Sequence, residues 1–364
     1  MSPPTTSVTR MRAEIEEQPQ ALRATLGALL PRIGEIAALG RDTRQVLFIA
    51  RGTSDNAAVY GSYLVQVRTG RLATLASPSV ATAYRSRLDL SGVLAVALSQ
   101  SGRTEEIVET LAWAADCGAR TLAITNGAGS PLAEAAEVAL VTEAGVERAV
   151  PATKTFTTAL AALAVLGIAL AADAEGTAGT DGAAGAEPLD AGELRSVPDE
   201  IERLLATRND LEPVIEGLAG VEGVVVSGRG YASAAALEFA LKLKEACYLH
   251  AMGLSFADLL HGPIAVVDDR TPAIIMAADS GPTLAGAVAL AGRVTHAGAT
   301  AYGIGGGTAL AAACAYALPG PRLPEWLAPI GLITAGQLLT EALARRLGVN
   351  PDSPRGLSKV IQTG

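Results

Sequence analysis

The chain repeats itself. VLFIARGTSDNAAVYGSYLV at 46–65 aligns with VVVSGRGYASAAALEFALKL at 224–243, which sets Arg51 opposite Arg229. In each copy a β-branched run ends at an Arg-Gly turn and passes into an Ala-rich helical pattern. Farther on, ALSQSGRT at 97–104 lies opposite AADSGPT at 277–283, with Ser101 facing Ser280. Strand, turn and helix repeated in this way predict parallel α/β units, because parallel strands need a crossover between them. A length of 364 residues suits two such lobes better than one. Between the copies, DAEGTAGTDGAAGAEPLD at 173–190 is poor in large apolar residues and reads as a flexible linker or exposed loop.

The turn in LSQSGRTEEI at 98–107 carries the first sign of function. Before it, Gly92 to Leu98 is continuously apolar, as expected for a strand buried on both faces. After it, TEEIVETLAWAADCGA has acidic residues early and apolar residues at helical spacing. The polar cluster therefore sits where a helix start presents unpaired N–H groups and favours an anion. Ser99, Ser101 and Thr104, with the Gln100 amide, supply donors without bulk, and Gly102 is expected to let the backbone come close. A single N-cap explains one hydroxyl but not three. RGTS at 51–54 is the other such turn in the first half, and Thr53 and Ser54 are candidates for sugar or phosphate contacts or for ordinary caps. In the second half the loop lacks the first serine and the glutamine, and Pro282 stands opposite Arg103. One anion site per chain is expected, beyond the carboxyl ends of the strands.

ALEFALKLKEACYLHAM at 236–252 holds the titratable cluster. Glu238, Lys242 and Glu245 share one helical face, whereas Lys244 points elsewhere. A solvated Glu–Lys pair is the plain alternative. Two carboxylates around a lysine in an apolar helix also suit a general base, since burial raises a carboxyl pKa and the lysine lowers it. His250 follows within two turns of that cluster. His261 in LLHGP lies on a loop and is an acid–base candidate, or else a structural histidine. His296 reads as a helix-end residue.

The formal net charge of −9 argues against a nucleic-acid partner, which needs a basic face. Cys117, Cys247 and Cys314 show no metal-ligand or CxxC spacing, and suggest reduced thiols in a cytoplasmic protein. The start, MSPPTTSVTRMRAEIEEQP, has no apolar core of a secretory signal. ALAALAVLGIALAA at 159–172 is expected to be a buried helix, being short and Ala-rich for a membrane span.

With these residues in view, the chain resembles the sugar isomerase (SIS) family over nearly its full length. EIEEQPQAL at 14–22, ARGTSDNAA, LSQSGRTEEI, VPATKTFTTAL at 150–160, GRGYASAAALEFALKLKEACYLHA, LLHGP and NPDSPRGLSKVIQTG at 350–364 match in order. Within the family it resembles the isomerase half of the glucosamine-6-phosphate synthases and, more closely, the two-domain glucosamine-6-phosphate deaminases. The resemblance implies an α/β fold of two tandem, flavodoxin-like domains, each a five-stranded parallel sheet flanked by helices. It divides the chain into an N-terminal helical segment (1–45), a phosphate-binding domain (46–172), a linker (173–200), a domain with the catalytic helix (201–349) and a closing tail (350–364). It also implies a homodimer with shared sites, a hexosamine or hexose 6-phosphate as substrate, and neither cofactor nor metal.

Carried over by position, Thr53, Ser54, Ser99, Gln100, Ser101 and Thr104 would bind the 6-phosphate and nearby hydroxyls, with Val150 and Glu238 in the substrate-binding set. Glu245 would move a proton between C1 and C2, Lys242 would steady charge, and His261 of a second copy would open the ring. Lys359, on the tail, forms an imine with fructose 6-phosphate in the synthases. Met252, where the family usually carries Glu, and Ala152, where the synthases carry serine, are expected near the sugar pocket. No glutamine-hydrolysing domain precedes residue 14 of the sequence, so ammonia release or use of free ammonia is expected. Isomerisation without nitrogen transfer and a sugar-phosphate sensor are the other readings. The sensor lacks a basic recognition helix in residues 1–45.

Overall fold

In the computed structural model, which describes residues 8–175, 189–207 and 210–359, the repeat becomes two lobes. Helices α1 (Arg10–Glu16), α2 (Gln18–Leu29) and α3 (Ile33–Gly40) lead into β1 (Gln45–Ile49). The first lobe continues with α4 (Thr53–Thr69), β2 (Leu72–Leu75), α5 (Ser79–Thr82), β3 (Val93–Leu98) and α6 (Glu105–Asp116). It ends with β4 (Arg120–Thr125), α7 (Pro131–Ala135), β5 (Val138–Val141) and α8 (Lys154–Glu175). The second lobe opens with α9 (Ala191–Ala206), α10 (Glu212–Ala219), β6 (Gly223–Gly228), α11 (Ala232–Cys247), β7 (His250–Ser255) and α12 (Phe256–Leu260). It closes with β8 (Ala273–Ala277), α13 (Leu284–His296), β9 (Ala301–Gly305), α14 (Gly307–Ala313), β10 (Tyr316–Leu318) and α15 (Ala328–Arg346).

Both sheets have five strands, all parallel, in the orders β2-β1-β3-β4-β5 and β7-β6-β8-β9-β10. The two orders are the same topology twice. Every residue of β3 is buried, as its unbroken apolar sequence requires of a central strand covered on both faces. In each sheet the order reverses beside the first strand, and crevices for ligands open at such switch points.

The lobes share one continuous core, in which Leu64 and Leu163 join Phe239 and Leu343. Helix α4 packs against α8 on one side and α11 on the other, and α11 packs in turn on α15. Helix α8 is long and apolar enough to cross a membrane by length and composition, contrary to the expectation drawn from its Ala-rich middle. Its burial explains the composition instead: Leu160 to Leu170 face protein, not lipid.

Of the segment expected as a linker, residues 176–188 lie outside the described residues, as do 360–364 of the tail and 1–7 of the N-terminal segment. Residues 191–200, also expected as linker, are helical. Asp190 caps α9 by accepting from Gly192 N at 2.7 Å, and Leu194, Val197, Ile201 and Leu204 bury one face.

Candidate active site

Two helix starts build the hydroxyl-rich end of the site. After β1 the chain turns through Gly52, at φ +57° and ψ −129°, a conformation that a side chain would not tolerate. Helix α4 then begins at Thr53 with no side-chain cap. After β3, Ser99 Oγ accepts from Gly102 N at 3.2 Å and lies 3.4 Å from Thr104 Oγ1, while Ser101 Oγ accepts from Arg103 N at 3.2 Å. Thr104 occupies the N-cap position of α6 without making the cap bond. Ordinary capping thus accounts for neither threonine, and the first N–H groups of both helices keep their donors for a ligand.

Gly102 also meets a demand of packing. At φ +63° a Cβ there would lie 2.1 Å from Ser130 Oγ and 2.8 Å from Thr125 Oγ1, so the close approach is to α7 and β4. In the second lobe the matching loop is filled by the chain's own acids. Thr283 Oγ1 donates to Glu325 Oε1 at 2.8 Å, and Gly307 N donates to Asp279 Oδ1 at 2.9 Å.

The second lobe supplies the titratable end. Lys242 and Glu238 are 1% and 0% exposed, with Lys242 Nζ 3.3 Å from Glu238 Oε1 and hydrogen-bonded to Glu245 Oε2. The helical spacing brings all three together, whereas Lys244 is exposed. First-lobe side chains complete the cluster. Thr53 Oγ1 donates to Glu238 Oε1 at 3.0 Å, Asn56 Nδ2 donates to Glu238 Oε2 at 2.8 Å, and Lys242 Nζ donates to Thr53 Oγ1 at 3.3 Å. Burial pushes the Glu238 carboxyl up, against the pull of Lys242 and the two donors. Burial acts to lower the Lys242 ammonium, yet the flanking carboxylates hold it above the ordinary lysine value.

The tail closes the third side. Asp352 accepts from Arg10 N and Met11 N of α1 at 3.0 and 2.8 Å, and its carbonyl accepts from Val150 N at 3.0 Å. Glu14 of α1 accepts from Ala149 N at 3.1 Å, and its carboxyl is pushed up, chiefly by burial. Lys359 Nζ donates to Glu147 Oε2 and to Ala149 O, both at 2.7 Å.

Hydroxyl cradle, titratable helix and tail line a single cavity of about 300 Å3, within the scale of small-molecule sites. Thr53, Ser54, Ser99, Gln100, Ser101 and Thr104 all reach it, as do Val150, Lys242, Glu245 and Lys359. Glu238 does not; it lies beneath, holding Lys242 and Thr53. His261, at the exposed end of α12, is not part of this lining within one chain. Ala152 lines the cavity, whereas Met252, 39% exposed on edge strand β7, is not part of this lining within one chain. His296 is exposed in the last turn of α13. Arg51, Asn126 and Thr155 also reach the cavity, and Arg51 makes a bidentate pair with Glu106, both bonds at 2.9 Å. Sequence reasoning passed over Glu147, which lies outside the motifs; the hydroxyl-rich TKTFTT after it was the available signal.

Comparisons with known proteins agree with this geometry. Over 366 aligned residues the chain is 36% identical to a glutamine–fructose-6-phosphate aminotransferase (isomerizing) of Symbiobacterium thermophilum, covering 96% of this chain and 58% of that one. The chain therefore spans little more than half the length of that relative. A structure from Silicibacter pomeroyi DSS-3, provisionally described as a phosphosugar isomerase, superposes with a TM-score of 0.82 at 33% identity, covering 95% of this chain and all of the other. A glucosamine-6-phosphate deaminase from Thermotoga maritima superposes at a TM-score of 0.74 over 98% of this chain and all of that one, and at 21% identity it speaks for the fold alone. The SIS domain model matches residues 41–169 and 218–343, one copy per lobe. On this evidence the chain belongs to the SIS domain family.

Proposed function

We propose that the chain is a cofactor-independent sugar-phosphate isomerase that releases ammonia from glucosamine 6-phosphate or a close analogue, leaving fructose 6-phosphate. The observation that carries this reading is the meeting of hydroxyl cradle and Glu245–Lys242 pair in one cavity. The phosphate, remote from the reacting carbons, is gripped at the two helix starts, and that binding energy orients C1 and C2. Glu245 takes the proton from C2 of the open-chain amino aldose and returns it to C1. Lys242 offsets the negative charge that develops on the intermediate. The ketimine so formed adds water and expels ammonia.

In this reading ring opening falls to His261 of a second copy, since His261 of the same chain stands apart from the cavity. The 36% identity to an isomerizing aminotransferase favours a second reading, in which the same proton transfer runs toward the amino sugar with free ammonia, or without nitrogen transfer. Incubation with a panel of hexosamine 6-phosphates, assayed for ammonia, tests the proposal. Release from at least one is expected. Interconversion of hexose 6-phosphates with no ammonia release would favour the second reading.

A further inference from the structure

We propose that Glu147 is the positioning residue for Lys359, a buried carboxylate that holds the tail's amino group at the cavity wall as a charged donor. Only the identity of the ligand that this donor meets rests on the function proposed above.

The Glu147 side chain is wholly enclosed and accepts every hydrogen bond it makes, with the Glu14 carboxyl as a like-charged neighbour. Its Oε2 accepts from Lys359 Nζ at 2.7 Å and from Thr155 Oγ1 at 2.6 Å. Its Oε1 accepts from Thr153 N at 2.9 Å and Thr155 N at 3.1 Å, at the start of α8. Burial opposes the charge, yet Lys359 and these donors hold the carboxyl below its ordinary value. The carboxylate therefore caps a core helix and tethers the tail at once.

Lys359 Nζ spends a second bond on Ala149 O, and an ammonium then has one N–H left, on a group that lines the cavity. The geometry suits Lys359 to meet a substrate oxygen with that remaining N–H.

Hydrogen–deuterium exchange of residues 353–359 without ligand tests the tether. Glu147→Gln and Lys359→Gln should each speed exchange by about tenfold, the scale of one lost charge-assisted bond. The double variant should exchange no faster than either single one. If Glu147→Gln fails to fold, Lys359→Gln against the unaltered chain decides, and unchanged exchange there overturns the proposal.

In turnover of glucosamine 6-phosphate, Glu147→Gln should raise KM by about tenfold, with no added effect in the Lys359→Gln background. Additive effects would mean that Glu147 acts through α8 alone, and would overturn the assignment. Absence of any sugar-phosphate turnover would remove the proposed substrate, and the exchange data would still decide the tether.

Discussion

At the scale of single residues, the function proposed above assigns binding and chemistry to different side chains, so each can be removed alone. Thr104 lines the cavity without capping α6, so Thr104→Val should weaken phosphate binding without costing the helix its cap. We expect KM for a hexosamine 6-phosphate to rise about tenfold with kcat and melting temperature retained, the scale of one hydrogen bond to a charged group. A lowered melting temperature with unchanged KM would return Thr104 to a structural role. Glu245→Gln keeps the shape and the contact with Lys242 but cannot accept a proton. Calorimetry should show sugar-phosphate affinity within a fewfold of the original, while turnover falls by about 10²–10⁴. Full turnover in that variant would remove Glu245 from the base role.

At the scale of elements, the turn between β3 and α6 is fixed by its packing on α7. Ser130 caps α7 by accepting from Ala133 N at 3.4 Å, and its Oγ occupies the space a side chain on Gly102 would need. Gly102→Ala should cost about 1–3 kcal/mol, from the positive φ and the overpacking together. Chemical denaturation should show that loss, and Ser130→Gly in the same chain should restore part of it; no restoration would assign the cost to φ and the Thr125 contact rather than to Ser130.

This turn also shows what the sequence can and cannot say about its elements. The apolar run of β3, the hydroxyls and the face shared by Glu238, Lys242 and Glu245 are local patterns, legible from spacing. Contacts between distant segments are not, so Ser130 as the reason for Gly102 was invisible. Glu147 was hidden likewise, because its partner Lys359 lies at the far end of the chain. Met252 faces outward on edge strand β7 and does not line the cavity within one chain, while Ala251 beside it serves the core.

At the scale of the whole molecule, the seam between the lobes is held by a buried charge cluster that both of them build. Glu238 and Lys242 come from α11, and Thr53 and Asn56 come from α4. Breaking such a cluster on one side should unsettle the shared core. Lys242→Met leaves Glu238 buried with only neutral donors, and an unpaired buried charge costs about 3–5 kcal/mol. The pH dependence identifies the cause. The folded chain already holds the Glu238 carboxyl above its ordinary value through burial, and loss of Lys242 removes the main opposing pull. A raised carboxyl binds its proton more tightly folded than unfolded, so its contribution favours folding below the unfolded value and is lost as pH rises through the folded one. The penalty of Lys242→Met should therefore be greatest at neutral pH and shrink as pH falls toward the ordinary carboxylate range. Melting temperatures of both proteins across that interval measure it, and a penalty that stays constant with pH would show that lost packing, rather than a stranded charge, is what the lysine prevents.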